Sequence, residues 1–387
     1  MKKPIPLEQV TIGTYVVEIP SHPHLGVRQQ GMLRDPATLA LLAEEGVKTV
    51  LIDPLRSRSR PTLAHPTAPP PQRLLRPRQH TSFTNELPRA RKLYQQTRQL
   101  QQRTIDSLRE GKGLDLKEVE HTADEFINSV FRNASALNCL RLIKDKDDYL
   151  LEHSIGVAIL MVLFARHLQF DDRVLHQICV GSLLHDIGKV MIPESILNKP
   201  GRLTEQEFTI MKTHAGHSRD IIARTPGISK ISLDVAAMHH EKLDGSGYPA
   251  GLKGEAITRY GRMIAICDIY DAMTADRVYH SGLTPTQALK RLQAMAPVQL
   301  DPELLHQFIN CIGIYPPGTM VELSSGVLAV VLEGNAHDPL NPKVKLVYNT
   351  RHGTHVMATE RDLSLSHETI VRAVNPSEHK LSLDNYL

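Results

Sequence analysis

Long apolar runs are missing from this chain of 387 residues. No stretch reaches the ~18 consecutive apolar residues that a transmembrane helix needs, so no membrane span is expected. Met1-Lys2-Lys3 leads into Pro4 rather than into an apolar segment, so the start does not read as a secretory signal. Cysteine is scarce. Cys139, Cys179, Cys267 and Cys311 are scattered, with no CxxC pair among them. That spacing argues against a disulfide framework and for a reducing compartment, so a cytoplasmic location is expected. Excess charge of either sign is also lacking: 45 Lys and Arg against 42 Asp and Glu leave +3. The balance gives no electrostatic reason to expect a nucleic-acid polymer as partner. No internal repeat and no phosphoacceptor receiver pattern is visible.

The length suits two or three domains with at least one sizeable core. Residues 1–54 read as a small α/β domain. Thr14 to Ile19 and Val47 to Asp53 are strand-like, and Pro36 to Glu45 is a short helix with Asp35 as its cap. Residues 55–82 are a Pro/Arg-rich linker, including Pro69-Pro70-Pro71. Residues 83–315 carry helical periodicity. Leu116 to Leu137 suits one helix, and others are expected near 153–168, 172–188, 204–223, 229–240, 259–275, 285–296 and 302–312. Thr204 with Glu207 makes a capping-box pattern, and Asp301-Pro302-Glu303 a helix start. Residues 316–387 form a β-rich C-terminal module and tail, with strands at Met320–Leu323, Val327–Leu332 and Val344–Tyr348. The expected fold is mainly α, a helical bundle flanked by a small N-terminal α/β domain and a short β-rich module.

Histidine is plentiful, with 20 residues, and some occupy informative places. His185-Asp186 closes an apolar run and is followed by Lys189. His214, His239-His240 and Asp268 lie downstream. A hydrolytic two-metal site needs His and carboxylate ligands, with a carboxylate able to bridge. Neighbouring residues on a helix point ~100° apart, so His185 can face one metal while Asp186 spans both. Asp268 sits inside Met263–Ile269, where an unpaired carboxylate is costly. His153 on its own reads as a core or surface residue. His167, His176 and His217 follow no matching logic.

The segment from His239 to Pro249 resembles the HHExxDGxGYP signature of HD-GYP phosphodiesterases. His185 to Lys189 resembles that family's HDIGK. Asp268 to Thr274, with Arg277 and Tyr279, resembles its DxYDAMTxxRxY segment. The three motifs occur in the family's order, and the resemblance covers roughly 140–315. Residues 5–53 also resemble the small domain that precedes some HD-GYP domains. The resemblance implies an HD-type helical bundle that hydrolyses the bacterial second messenger cyclic di-GMP to pGpG, as members of the family do, often on to GMP.

The resemblance also implies a division of roles. His153, His185, Asp186 and Asp268 would hold a first metal. Asp186 would bridge to a second, completed by His214, His239 and His240. Lys189 would contact the scissile phosphate, and Arg277 phosphate or base. Tyr248 would touch substrate from the loop shaped by Gly245, Gly247 and Pro249. Glu241 and Asp244 would support that loop. Some members bind a third metal through a Glu four residues before the first His. Tyr149 stands there, so two divalent transition metals are expected, Fe or Mn foremost. His280 replaces a common Lys or Arg and makes a weaker phosphate contact. A hydroxide generated between the metals would attack phosphorus in line. Signalling partners at the GYP loop or N-terminal domain, and a homodimer, fit this picture. Two rivals stand beside it: hydrolysis of 3′,3′-cyclic GMP-AMP, and a weakly active protein that binds the nucleotide and signals by conformation.

Overall fold

The computed structural model describes residues 3–7, 10, 14–21, 31–33, 38, 42–43, 45, 47–53, 57, 80–143, 149–275, 282–335 and 337–387. The chain divides into two compact units, Met1–Arg76 and Pro77–Leu387.

The first unit holds a four-stranded antiparallel sheet of β1 (Lys3–Pro6), β2 (Tyr15–Glu18), β3 (Gly31–Met32) and β4 (Thr49–Ile52), in the order β1-β4-β2-β3. Its core gathers Ile5, Val16, Leu42, Val50 and Ile52. β2 and β4 are the two strands expected from sequence. β1 was hidden by Pro4 and Pro6, which a strand tolerates at a sheet edge because no ladder N–H is needed there. Thr38, Leu42 and Ala43 are helical. The rest of the helix expected there, with its Asp35 cap and Pro36, falls mostly outside the described residues, as does nearly all of the 55–82 linker.

The second unit is mainly helical. Its helices are α1 (Phe83–Arg109), α2 (Leu116–Arg132), α3 (Ala134–Arg141), α4 (Tyr149–His167), α5 (Asp172–Leu184), α6 (Glu194–Leu197), α7 (Glu205–Ala223), α8 (Lys230–Met238), α9 (Arg259–Thr274), α10 (Pro285–Met295) and α11 (Pro302–Ile312). α4 is the centre. Ile155, Val157 to Val162, Phe164 and Ala165 are all fully buried, so it is apolar on nearly every side. It packs against α3, α5, α9 and α11.

Two helices are shorter than their hydrophobic pattern. The run from Leu116 to Leu137 breaks at Asn133, whose backbone is extended and whose Oδ1 accepts the N–H groups of Ser135 and Ala136. Asparagine is a strong N-cap, and here it starts α3. The helix expected to reach 188 ends at Leu184, and Ile187–Met191 forms a 3-10 turn. Gly188 causes this change. Its N–H donates to Ser218 Oγ at 2.8 Å. A Cβ on Gly188 would lie 2.2 Å from the His214 carbonyl oxygen, so only glycine lets this turn sit against α7.

The C-terminal strands are β5 (Met320–Leu323), β6 (Val327–Glu333), β7 (Lys343–Asn349), β8 (Thr354–His355), β9 (Glu360–Asp362) and β10 (Ile370–Ala373). The sheet order is β10-β5-β6-β7-β8, with β9 also on β7. The last three strands are short and largely exposed, which left no alternating pattern to read. This sheet belongs to the same compact unit as the helices, with β6 against α3. Among the described residues, no helix is long and apolar enough to cross a membrane.

Candidate metal centre

Five elements meet at one point. α4 supplies His153. The end of α5 supplies His185 and then Asp186. α7 supplies His214, the end of α8 supplies His239 and His240, and α9 supplies Asp268. All seven residues named from sequence come together here. Their ligand atoms fall into overlapping groups within 4.8 Å: His153, His185 and Asp268; His185, Asp186 and His239; His214, His239 and His240. All seven are buried except His240, whose side chain is 24% exposed and forms the open side.

Three of the imidazoles are oriented in the same way. His185 Nδ1 lies 2.7 Å from the Ser182 carbonyl, His214 Nδ1 2.6 Å from that of Met211, and His239 Nδ1 2.7 Å from that of Ala236. A carbonyl only accepts, so each Nδ1 carries the proton and donates. Each Nε2 then presents a bare lone pair.

Those lone pairs converge on each other and on carboxylate oxygens. His214 Nε2 is 3.3 Å from His239 Nε2 and 3.2 Å from Asp186 Oδ1. His185 Nε2 is 3.4 Å from Asp186 Oδ2, and is buried with no hydrogen-bond partner. Acceptors facing acceptors in a buried site repel unless a cation lies between them. The donor set, imidazole nitrogen and carboxylate oxygen, suits divalent transition metals. The residues therefore fit a metal centre, and the two oxygens of Asp186 face different imidazoles, as a bridging carboxylate requires.

The protonation states agree. Burial, with His240 and His185 beside it, holds His239 well below the usual imidazole range, and burial brings His240 down to about 4. Burial also lowers His185. These rings are neutral near pH 7. Burial would raise the carboxyl of Asp186, but Lys189, His185 and His214 outweigh it and hold it well below the usual range. Asp268 behaves alike: burial, which would raise it, is overcome chiefly by the hydrogen bond from His153.

His153 is supported differently. Its Nδ1 lies 2.8 Å from Asp271 Oδ2, and its Nε2 2.8 Å from Asp268 Oδ1. Burial lowers its pKa, yet the two carboxylates push it up to about 9. Asp271 is in turn paired with Arg141 at 3.3 Å, and both side chains are fully buried. The sequence reading gives no role to Asp271 or Arg141. The signal for Asp271 was its place three residues after Asp268, on the same face of an apolar helix. Gly156 lets α4 approach this pair, since a Cβ there would lie 2.4 Å from Asp271 Oδ1.

Around the centre, Lys189 Nζ sits 2.5 Å from Asp186 Oδ2. The Tyr248 ring lies 4.6 Å from that of His240. Glu241 is buried, and its carboxylate accepts the N–H groups of Ala250 and Leu252 at 2.8 and 2.9 Å. Asp244 Oδ1 accepts from the backbone and hydroxyl of Ser246. Both acids tie down the loop that carries Tyr248. Arg277, Tyr279 and His280 lie outside the described residues, and the side chain of Tyr149 is not among those described.

The chain is similar to several known proteins. Residues 138–304 match the HD domain, and residues 2–119 match a domain of unknown function, DUF3391, which extends past the first sheet into α1 and α2. The cyclic di-GMP phosphodiesterase PA4108 of Pseudomonas aeruginosa is 34% identical over 91% of this chain and 86% of its own length. The 3′3′-cGAMP-specific phosphodiesterase 3 of Vibrio cholerae is 33% identical over 46% of this chain and 38% of its own. The solved structure of Bd1817, an HDG"Y"P protein from Bdellovibrio bacteriovorus, covers 80% of this chain and 98% of its own at a TM-score of 0.49 and 15% identity. With the identity to the Pseudomonas protein running through nearly the whole chain, this protein belongs to the HD-GYP family of cyclic di-GMP phosphodiesterases.

Proposed function

We propose that the His/Asp centre hydrolyses cyclic di-GMP to pGpG, and pGpG onward to GMP, lowering the level of the messenger. The observation that carries this reading is the convergence of buried imidazole Nε2 atoms on one another and on the Asp186 carboxylate. His153, His185, Asp186 and Asp268 are assigned to one ion and His214, His239 and His240 to the other, with Asp186 shared. Iron or manganese is the proposed pair, matched to a His-rich set. Two such ions lower the pKa of a shared water and draw charge from the phosphate when bound.

The chain's own groups do the rest. Lys189 stands beside Asp186 with its side chain 19% exposed. It is placed to pass from the carboxylate to a non-bridging phosphate oxygen and to stabilise charge that builds there. Tyr248, its ring tilted against that of His240 at 4.6 Å, is assigned to close one side of the reacting phosphate. Arg277 and His280 are assigned further phosphate or base contacts on their motif positions alone. The division of the chain at 54, 82 and 315 is proposed to separate an input domain, a linker, the catalytic bundle and the C-terminal module.

Anaerobic purification, metal analysis and product chromatography with cyclic di-GMP test this reading. Stoichiometric iron or manganese with release of pGpG is expected. A metal-loaded protein that leaves cyclic di-GMP intact would refute it. The Vibrio cholerae relatives named for 3′3′-cGAMP make that nucleotide the natural second substrate in the assay.

A further inference from the structure

A cleft of about 430 Å³ opens beside the centre, and His240 and Asp268 form its inner end. Its walls are Ile269, Ala272, Met273, Ala275 and Leu283, all apolar; Ala275 is buried and the others are partly buried. Ile269 and Met273 are four residues apart on α9, as are Asp268 and Ala272, so this face continues directly from a ligand carboxylate. Arg291 stands at the rim and is the one cationic side chain among the described residues that line the cleft. It is exposed and makes no hydrogen bond or ion pair with a described residue. It is nonetheless well placed. α10 is fixed by the Thr284/Gln287 capping box and buries Ala288, Leu289 and Leu292.

A volume of this size, apolar walls and one polar group at the rim are the features of a pocket for a flat, mostly apolar ring with one polar edge. Resting on the cyclic-dinucleotide reading above, we infer that this cleft seats one base of the substrate and that Arg291 reads it as guanine. The chemistry of the edge decides between bases. Guanine offers two acceptors, O6 and N7, which match the paired N–H donors of a guanidinium. Adenine places an N–H donor where O6 would be. The cleaved phosphate lies at the His/Asp centre, and the adjoining nucleoside extends over Ala272 and Met273 toward Arg291.

The test compares the metal-loaded full chain with its Arg291→Ala variant on cyclic di-GMP, cyclic di-AMP, 3′,3′-cyclic GMP-AMP and bis(p-nitrophenyl) phosphate. Arg291 is exposed, so the variant is expected to fold. In R291A, kcat/KM for cyclic di-GMP falls roughly ten-fold or more, chiefly through KM, while cyclic di-AMP and the nitrophenyl ester are cut as before. The mixed nucleotide gives a sharper readout. With guanine required in the cleft, the wild type opens one of its two phosphodiester bonds and yields one linear isomer. R291A yields both. An equal loss on all the cyclic dinucleotides would overturn the inference by making Arg291 a phosphate contact, and no loss on any would overturn it outright. A wild type that cuts the nitrophenyl ester but no cyclic dinucleotide would instead sink the functional reading itself.

Discussion

Asp271 fixes His153 from the side away from the centre, its Oδ2 lying 2.8 Å from the ring's Nδ1. A carboxylate in that position orients the imidazole and makes its other nitrogen a better ligand. Asp271→Asn is therefore expected to weaken metal binding about 10- to 100-fold. It also leaves the buried Arg141 guanidinium without its counter-charge, at a cost of about 3–5 kcal/mol. The two effects separate in the double variant Arg141→Met/Asp271→Asn, which recovers stability but not metal affinity. Urea unfolding and competitive metal titration measure them, and full metal affinity in the double variant would contradict the role given to Asp271.

Lys189 and Asp186 touch each other but are expected to fail differently. Lys189→Met removes the charge proposed to act on the phosphate, and kcat is expected to drop about 10²- to 10³-fold with the metal content intact. Asp186→Ala is expected to lose both turnover and metal. Metal analysis beside steady-state kinetics distinguishes them. Loss of metal in the lysine variant would mean that Lys189 supports the centre instead of acting on substrate.

Gly188→Ala tests the contact that shapes the turn after His185. The added methyl group would meet the His214 carbonyl and the Ser218 backbone nitrogen, 2.2 and 2.3 Å away, and neither is free to move alone. Overpacking of this kind costs about 1–3 kcal/mol. Because the strained carbonyl belongs to His214, a proposed ligand, metal uptake is expected to fall together with the melting temperature. A variant that melts normally and binds metal normally would show that α7 yields without effect.

The four cysteines offer a check on burial. Burial pushes the thiols of Cys139 and Cys311 up to about 12, and raises those of Cys179 and Cys267 as well. The thiolate is the reactive form, so its fraction is negligible at pH 8 and grows only as pH approaches these raised values. Folded protein is expected to resist Ellman's reagent at pH 8, with all four thiols reacting in guanidinium. Rapid labelling of Cys311 in the folded state would show that its end of α11 is open.

Much of this was legible in the chain because the signals were local. The capping box of Thr204 and Glu207 and the cap at Asp301 stand where the sequence puts them. His185-Asp186 and Asp268 could be singled out because His and Asp in apolar runs need a reason to be there, whereas His153 entered the set only through the family resemblance. The unread parts depend on distant partners. Arg141 and Asp271 are 130 positions apart, so neither announces the other. The turn after α5 is held by Ser218, 30 residues from Gly188. Pro4 and Pro6 argued against a strand that a sheet edge accepts. Asn133 was legible in principle, since a strong cap residue inside an amphipathic run marks a break, but periodicity on both sides masked it.

The carbonyls of Ser182, Met211 and Ala236 aim three of the ligand rings. In each case the acceptor is main chain, three residues before the histidine. Replacing the side chains of Ser182 or Met211 would leave those carbonyl acceptors in place, and position 236 is already alanine. The orientation of three of the seven candidate ligands is thus written in the path of the backbone, where side-chain replacement has no access to it.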